Sequence, residues 1–140
     1  AKADIEKLVK DLGLQDKVVF AGFVPDSELP AYYNAADIAV SASKFETQGL
    51  SILEAMASGK PVACRNGRAF AEIVHDGVNG YLFDDVDGCV EAMEKAFDAP
   101  AEVREASLKT ALDNSRDRSA RLYVDAYGLA IETRKERCRK

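Results

Sequence analysis

The chain has 140 residues, 47% of them hydrophobic and 31% charged, with a net charge of −5. That composition describes one globular domain and excludes both a disordered polyelectrolyte and a general nucleic-acid binder. No apolar run approaches the roughly 20 residues that span a bilayer, and the opening stretch AKADIEKLVKDLGL is amphipathic, unlike a secretory leader.

The chain alternates short β-branched runs with amphipathic helices, the pattern of a parallel α/β sheet. Ile5, Leu8, Val9 and Leu12 recur at helical spacing over Asp4 to Leu12, and Gly13 follows as a C-cap. KVVFAGF reads as a strand. VPDSELPAYYNAA gives a turn at Pro25-Asp26, an N-cap at Ser27 and a short helix to Ala36. DIAVSAS is the next strand, Gln48 to Ser58 a helix closed by Gly59, and KPVAC a strand with Pro61 among its first residues. The loop RNGR leads to a short helix through Ala71 to Val74, the turn HDGVNG and a last strand, GYLF. From there the pattern is helical over Val86–Phe97, Ala101–Leu112 and about Arg116–Arg137, with breaks at DAP and DNS. The expected fold is therefore a Rossmann-like parallel sheet flanked by helices. Residues 1–112 make the domain and 113–140 a C-terminal helix. A helix on a parallel sheet normally follows a strand, yet none precedes Ile5, so the pattern suggests that sheet strands lie upstream of this chain.

Cys64, Cys89 and Cys138 have no CxxC spacing, which fits a reducing cytoplasm with no disulfide framework and no zinc site. Pairing of a catalytic cysteine with the single histidine, His75, is disfavoured. His75 sits in the turn HDGVNG, and Cys64 ends a buried-strand pattern. The terminal TRKERCRK sets Arg134, Lys135, Arg137, Arg139 and Lys140 against Glu136. It is either a solvated helix end favoured by the helix dipole or a contact for anionic lipid or an acidic partner.

In open α/β sheets ligands lie beyond the carboxyl ends of the strands. Three loops emerge there: GFVPD, SKFETQG and CRNGR. The second runs into a helix N-terminus at Gln48-Gly49-Leu50, whose free amides and positive dipole end suit a phosphate. Gly49 lets a ligand approach the backbone. Glu54 lies among Leu50, Ile52, Leu53, Ala55, Met56 and Ala57, so it is expected to be buried on this helix, where a carboxylate needs partners. The two hydroxyls of a ribose would supply them. Glu46, eight positions earlier, is placed to hold hydroxyls of a second ring. The residues alone leave an alternative open: Glu54 pairs with a buried basic side chain or reaches an edge, and Glu46 merely caps the helix.

FETQGLSILEAMASGKPVACRNGRAFAEIVHDGVNGYLF, with KVVFAGFVPDSELPAYYNAADIAVSAS before it, closely resembles the C-terminal donor-binding domain of the retaining GT-B glycosyltransferases of glycosyltransferase family 4. The two glutamates with seven residues between them, the LEAMASGKPV junction, EIV and DGVNGYLF carry the resemblance. It implies transfer of a hexose from a UDP- or GDP-sugar, UDP-glucose among them, without metal or other cofactor. Glu46 would contact the transferred sugar, Gly49 and Leu50 amides the sugar or distal phosphate, and Glu54 the ribose. Gln48 stands where most members carry an aromatic residue. The variant ETQGL looks like that of bacterial enzymes that glucosylate membrane diacylglycerol, which implies a lipid acceptor at the cytoplasmic membrane face. Asn66 and Gly67 stand near the sugar in the family, and Glu72 is expected to serve structural capping more than donor contact. Arg65 and Arg68 are not the family's phosphate-binding Arg–Lys pair, which lies further upstream and is absent here, as is the N-terminal acceptor domain. The isolated chain is therefore expected to be inactive or nearly so, with the KVVFAGF strand pairing either with DIAVSAS or with a second chain and self-association a risk at exposed edges. The alternative function is a non-catalytic α/β module, either a nucleotide-sugar sensor or an engineered folding fragment. A receiver-like domain is disfavoured because GFVPD offers only Asp26.

Overall fold

The structure, a computed structural model, describes residues 2–137. In chain order its elements are α1 (Lys2–Asp11), α2 (Leu29–Ala35), β1 (Ala39–Ser41), α3 (Leu50–Ala57), β2 (Val62–Arg65), α4 (Arg68–Ile73), β3 (Tyr81–Phe83), α5 (Val86–Phe97), α6 (Ala101–Asp113) and α7 (Arg116–Arg137). The strands make one parallel sheet in the order β1-β2-β3, with Ala39 opposite Val62 and Ala63 opposite Tyr81. Helical crossovers join the neighbours, as parallel pairing requires. The expected Rossmann-like α/β architecture is present.

Val62, Ala63 and Cys64 of the central strand are all fully buried, as an apolar run is when both sheet faces are covered. Val62 and Cys64 join Ile52, Ala55 and Met56 of α3, Phe70 of α4 and Ala111 of α6. Ala63 joins the opposite layer with Tyr81, Phe83, Ala92, Ala96 and Val103. Burial pushes the Cys64 thiol up to about 12, which leaves it a small apolar side chain without nucleophilic character at neutral pH. Gly80 enters β3 against this core: a Cβ there would meet Val62 Cγ2 at 2.6 Å and Val74 Cγ1 at 2.9 Å.

Local signals end the helices as their residues dictate. Gly13 (φ +67°) and Gly59 (φ +70°) lie past α1 and α3, and the Leu14 and Lys60 amides reach back to the Val9 and Ala55 carbonyls, closing both helices with the left-handed C-cap. Asp85 caps α5 through Oδ1, which accepts from the Gly88 amide at 2.8 Å.

Two local expectations are corrected. KVVFAGF forms no strand: residues 18–25 carry no regular structure, and Val19 and Phe23 are 89% and 90% exposed. Strand geometry is held by a ladder to a neighbour. Among the described residues β1 is the sheet's edge and this segment does not pair with it, so three strands stand where four were expected. Ser27 does not cap α2. Residues 26–28 are a turn closed by the Glu28 and Leu29 amides on the Pro25 carbonyl, and Glu28 holds the N-cap position without a side-chain bond.

At either end, apolar side chains remain uncovered. Ile5 and Leu8 of α1 and Leu12 just past it are all more than half exposed, as are Leu122, Tyr123, Val124, Tyr127, Leu129 and Ile131 of α7. Arg134, Lys135 and Arg137 fall in the last turn of α7, whereas Cys138, Arg139 and Lys140 lie outside the described residues. Among the described residues no helix is long and apolar enough to cross a membrane.

Candidate functional site

The loop after β1 delivers Glu46 to the entrance of α3. Its Oε1 accepts the Thr47 amide at 2.9 Å and the Gln48 amide at 3.4 Å. The amides of Thr47, Gly49 and Gln48 hold the carboxyl below the usual glutamate range, because they favour its ionised form. Glu46 therefore caps this turn.

Gly49 is the N-cap of α3 in the left-handed conformation, φ +62° and ψ +33°, so the helix begins at Leu50 and not at Gln48. Its neighbourhood demands glycine a second time, because a Cβ would stand 3.1 Å from Phe70 Cε1 and 3.2 Å from Ile73 Cδ1. The Ile52 and Leu53 amides both bond the Gly49 carbonyl. Those of Leu50 and Ser51, ahead of the first helical bond, have no intrahelical acceptor. The helix entrance is thus a buried glycine followed by orphan donors at the positive dipole end, a polarity suited to an anion.

Glu54 is not buried, contrary to the sequence expectation. It is exposed, while Ile52, Ala55 and Met56 form the buried face of α3. At about 100° per residue, Glu54 lies roughly 150° from the centre of that face. It shares the outward side with Leu50, Ser51 and Ala57, all exposed. Apolar neighbours in sequence are therefore not its neighbours in space, and burial of a bare charge gives no reason for this carboxylate. Nor is it neutralised by a cation among the described residues. Among the described residues the one partner of its carboxylate is Tyr33, whose hydroxyl donates to Oε2 at 2.9 Å.

Two cavities flank α3. One, of about 510 Å³, brings together Gln48, Leu50 and Glu72 with Asn114 and Arg116 from the α6–α7 junction. The other, of about 410 Å³, is lined by Glu54 and Tyr33 with Asp26, Leu29 and Ser58. Asn66 and Gly67 line neither. The Asn66 amide donates to the Phe83 carbonyl at 2.6 Å, extending the β2–β3 ladder, and Gly67 is the extended N-cap of α4. Arg65 ends β2; Arg68 pairs with Glu72 at 3.8 Å, both side chains largely exposed. No group of three or more His, Cys, Asp or Glu side chains poised for a metal occurs among the described residues.

Sequence reading missed Tyr33, Asn114 and Arg116. Tyr33 lies one helical turn from Leu29, on the α2 face that meets α3, a stripe that could have marked it. Nothing local marks the other two, which reach their cavity through the path of α6.

The family described as glycosyl transferases group 1 matches residues 1–112. The alpha-monoglucosyldiacylglycerol synthase of Streptococcus pneumoniae is 34% identical over 128 residues, 88% of this chain and 29% of that protein. Among solved structures, the sucrose-phosphate synthase of Thermosynechococcus elongatus superposes with a TM-score of 0.75 at 26% identity, over 89% of this chain and 34% of that one. The Anabaena protein Alr3699/HepE in complex with UDP and glucose gives 0.69 at 26% identity, over 91% of this chain and 36% of its own. The chain thus spans about a third of the length of these relatives. Family match, shared parallel sheet and relatives agree: the chain belongs to the glycosyl transferases group 1 family, and its Rossmann-like sheet is of the GT-B class.

Proposed function

We propose that this chain is the donor-binding part of a retaining hexosyltransferase that uses a nucleoside-diphosphate sugar. Residues 1–112 form the donor-binding domain, and α7 (Arg116–Arg137) follows it as a C-terminal helix. The observation that carries the reading is the entrance of α3. A buried left-handed glycine and the orphan amides of Leu50 and Ser51 stand between two carboxylates, one on the preceding turn and one on the exposed side of the same helix. A diphosphate laid across those amides has its sugar near Glu46 and its ribose near Glu54. The family match and the complex of the Anabaena neighbour with UDP and glucose support this placement. Gln48 and Leu50 flank the diphosphate, and Asn66 and Gly67 face the sugar from the β2 end.

No carboxylate is needed as a nucleophile. The sugar C1–phosphate oxygen bond breaks, the acceptor oxygen bonds C1 on the same face, and its proton passes to the departing phosphate oxygen. Amides and dipole offset the charge developing on that phosphate, so no metal is required. A lipid acceptor is supported by the S. pneumoniae relative, a monoglucosyldiacylglycerol synthase, and its place at the cytoplasmic membrane face by the basic last turn of α7. The chain alone binds donor weakly and transfers nothing at a rate typical of an intact enzyme.

Calorimetry with UDP and UDP-glucose tests the assignment. Glu54→Ala weakens both ligands, whereas Glu46→Ala removes only the extra affinity contributed by glucose. Unchanged binding in both variants refutes the placement.

A further inference from the structure

We infer that Tyr33 is a positioning residue for Glu54, fixing that carboxylate so that its second oxygen meets the ribose hydroxyls of the donor. The inference rests on the ribose role proposed for Glu54 above. Tyr33 Oη donates to Glu54 Oε2 at 2.9 Å across 21 residues of sequence, from α2 to α3, and both side chains line the same 410 Å³ cavity. Glu54 Oε1 has no partner among the described residues. One oxygen is thus held by the protein, and the other is left for a ligand on a side chain that lines the cavity.

An exposed glutamate on a helix is otherwise free to spread over its rotamers, and ordering it costs side-chain entropy. The phenol removes much of that freedom before a ligand arrives, which is how a preorganised site gains affinity. Tyr33 can do so because it is itself held. Its ring packs against the cluster formed by α3, β2 and α4, and the C-terminal end of α2 is tied down by Lys60 Nζ, which donates to the Asn34 carbonyl at 3.0 Å. Burial and the neighbouring Glu54 raise the phenol to about 12, so Tyr33 remains a hydrogen donor throughout the neutral range.

Removing the hydroxyl while keeping the ring separates positioning from packing. Binding of UDP and of 2′-deoxy-UDP to the 140-residue chain is measured for the wild type, Tyr33→Phe, Glu54→Ala and the double variant, with melting curves alongside. A ribose-directed carboxylate makes the wild type prefer UDP over the deoxy ligand. Tyr33→Phe is expected to weaken UDP binding about 3- to 10-fold, to shrink the preference for the ribose form, and to leave the melting temperature and the deoxy ligand nearly unchanged. In the Glu54→Ala background the same change is expected to add nothing. A Tyr33→Phe chain that keeps the full preference overturns the inference while leaving the Glu54 assignment intact. So does a Tyr33→Phe loss that adds in full to that of Glu54→Ala. A wild type that binds both ligands alike overturns the ribose role of Glu54, and the inference with it.

Discussion

Glu46 Oε1 accepts the Thr47 amide at 2.9 Å, so the first glutamate of the pair is tied to the backbone that leads into α3. The amides lower its folded pKa. The sign follows from linkage: a depressed carboxylate adds order that is fully present above its unfolded pKa and is lost as pH falls through the folded one. The Thr47 and Gln48 amide resonances should therefore titrate together with a midpoint below the ordinary glutamate range, and Glu46→Gln should abolish the step. A midpoint at the ordinary value would show that the cap is not formed.

Gly49 combines positive φ with close approach to Phe70 and Ile73. Alanine there meets both penalties, and the expected destabilisation is about 1–3 kcal/mol, read as a lowered midpoint in urea. UDP binding should fall with it even under conditions where the variant is folded, because the Leu50 and Ser51 amides are re-aimed. Full stability with full binding would contradict the described helix entrance.

Asn79, 3% exposed, accepts the His75 amide at 2.6 Å through Oδ1. Its Nδ2 donates to the Ile73 carbonyl and to Thr110 Oγ1. One side chain thus closes the HDGVNG turn and fastens it to α6. Asn79→Ala leaves three polar groups without that partner and should cost about 3 kcal/mol, whereas Thr110→Val, which loses the Asn79 bond and the Oγ1 bond to the Ala106 carbonyl of its own helix, should cost about 1–2 kcal/mol. Equal losses in the two variants, measured by denaturant unfolding, would contradict this division of roles.

Cys64 and Cys89 should separate in reactivity. In a Cys138→Ser background, a thiol reagent at neutral pH is expected to modify half-buried Cys89 in the folded chain and Cys64 only upon unfolding. Rapid modification of Cys64 in folded protein would mean that β2 is not closed on both faces.

Legibility in the sequence followed the range of the interactions. The helix Val86–Phe97 was readable to its ends because Asp85, its periodicity and the break at DAP are local. The two strands GYLF and KPVAC were readable as buried apolar runs. KVVFAGF has equally good β chemistry, but a strand needs a neighbour, and pairing is not written in the segment itself. Glu54 misled for a related reason: its flanking residues are apolar, yet helix geometry turns it away from Ile52, Ala55 and Met56. The pair of glutamates and the glycine between them could be singled out because seven-residue spacing on one loop and helix is local. The Tyr33–Glu54 bond and the Arg116 wall of the neighbouring cavity depend on how α2 and α6 pack, and no short window of sequence holds that information.

The most direct measurement of the central claim is an amide NMR titration of the chain with UDP. Resonance changes centred on residues 46–54, with a smaller set at residues 65–68, are predicted. A spectrum that stays silent at millimolar UDP, or changes confined to α5 and α7, would contradict the assignment of the α3 entrance as the donor site.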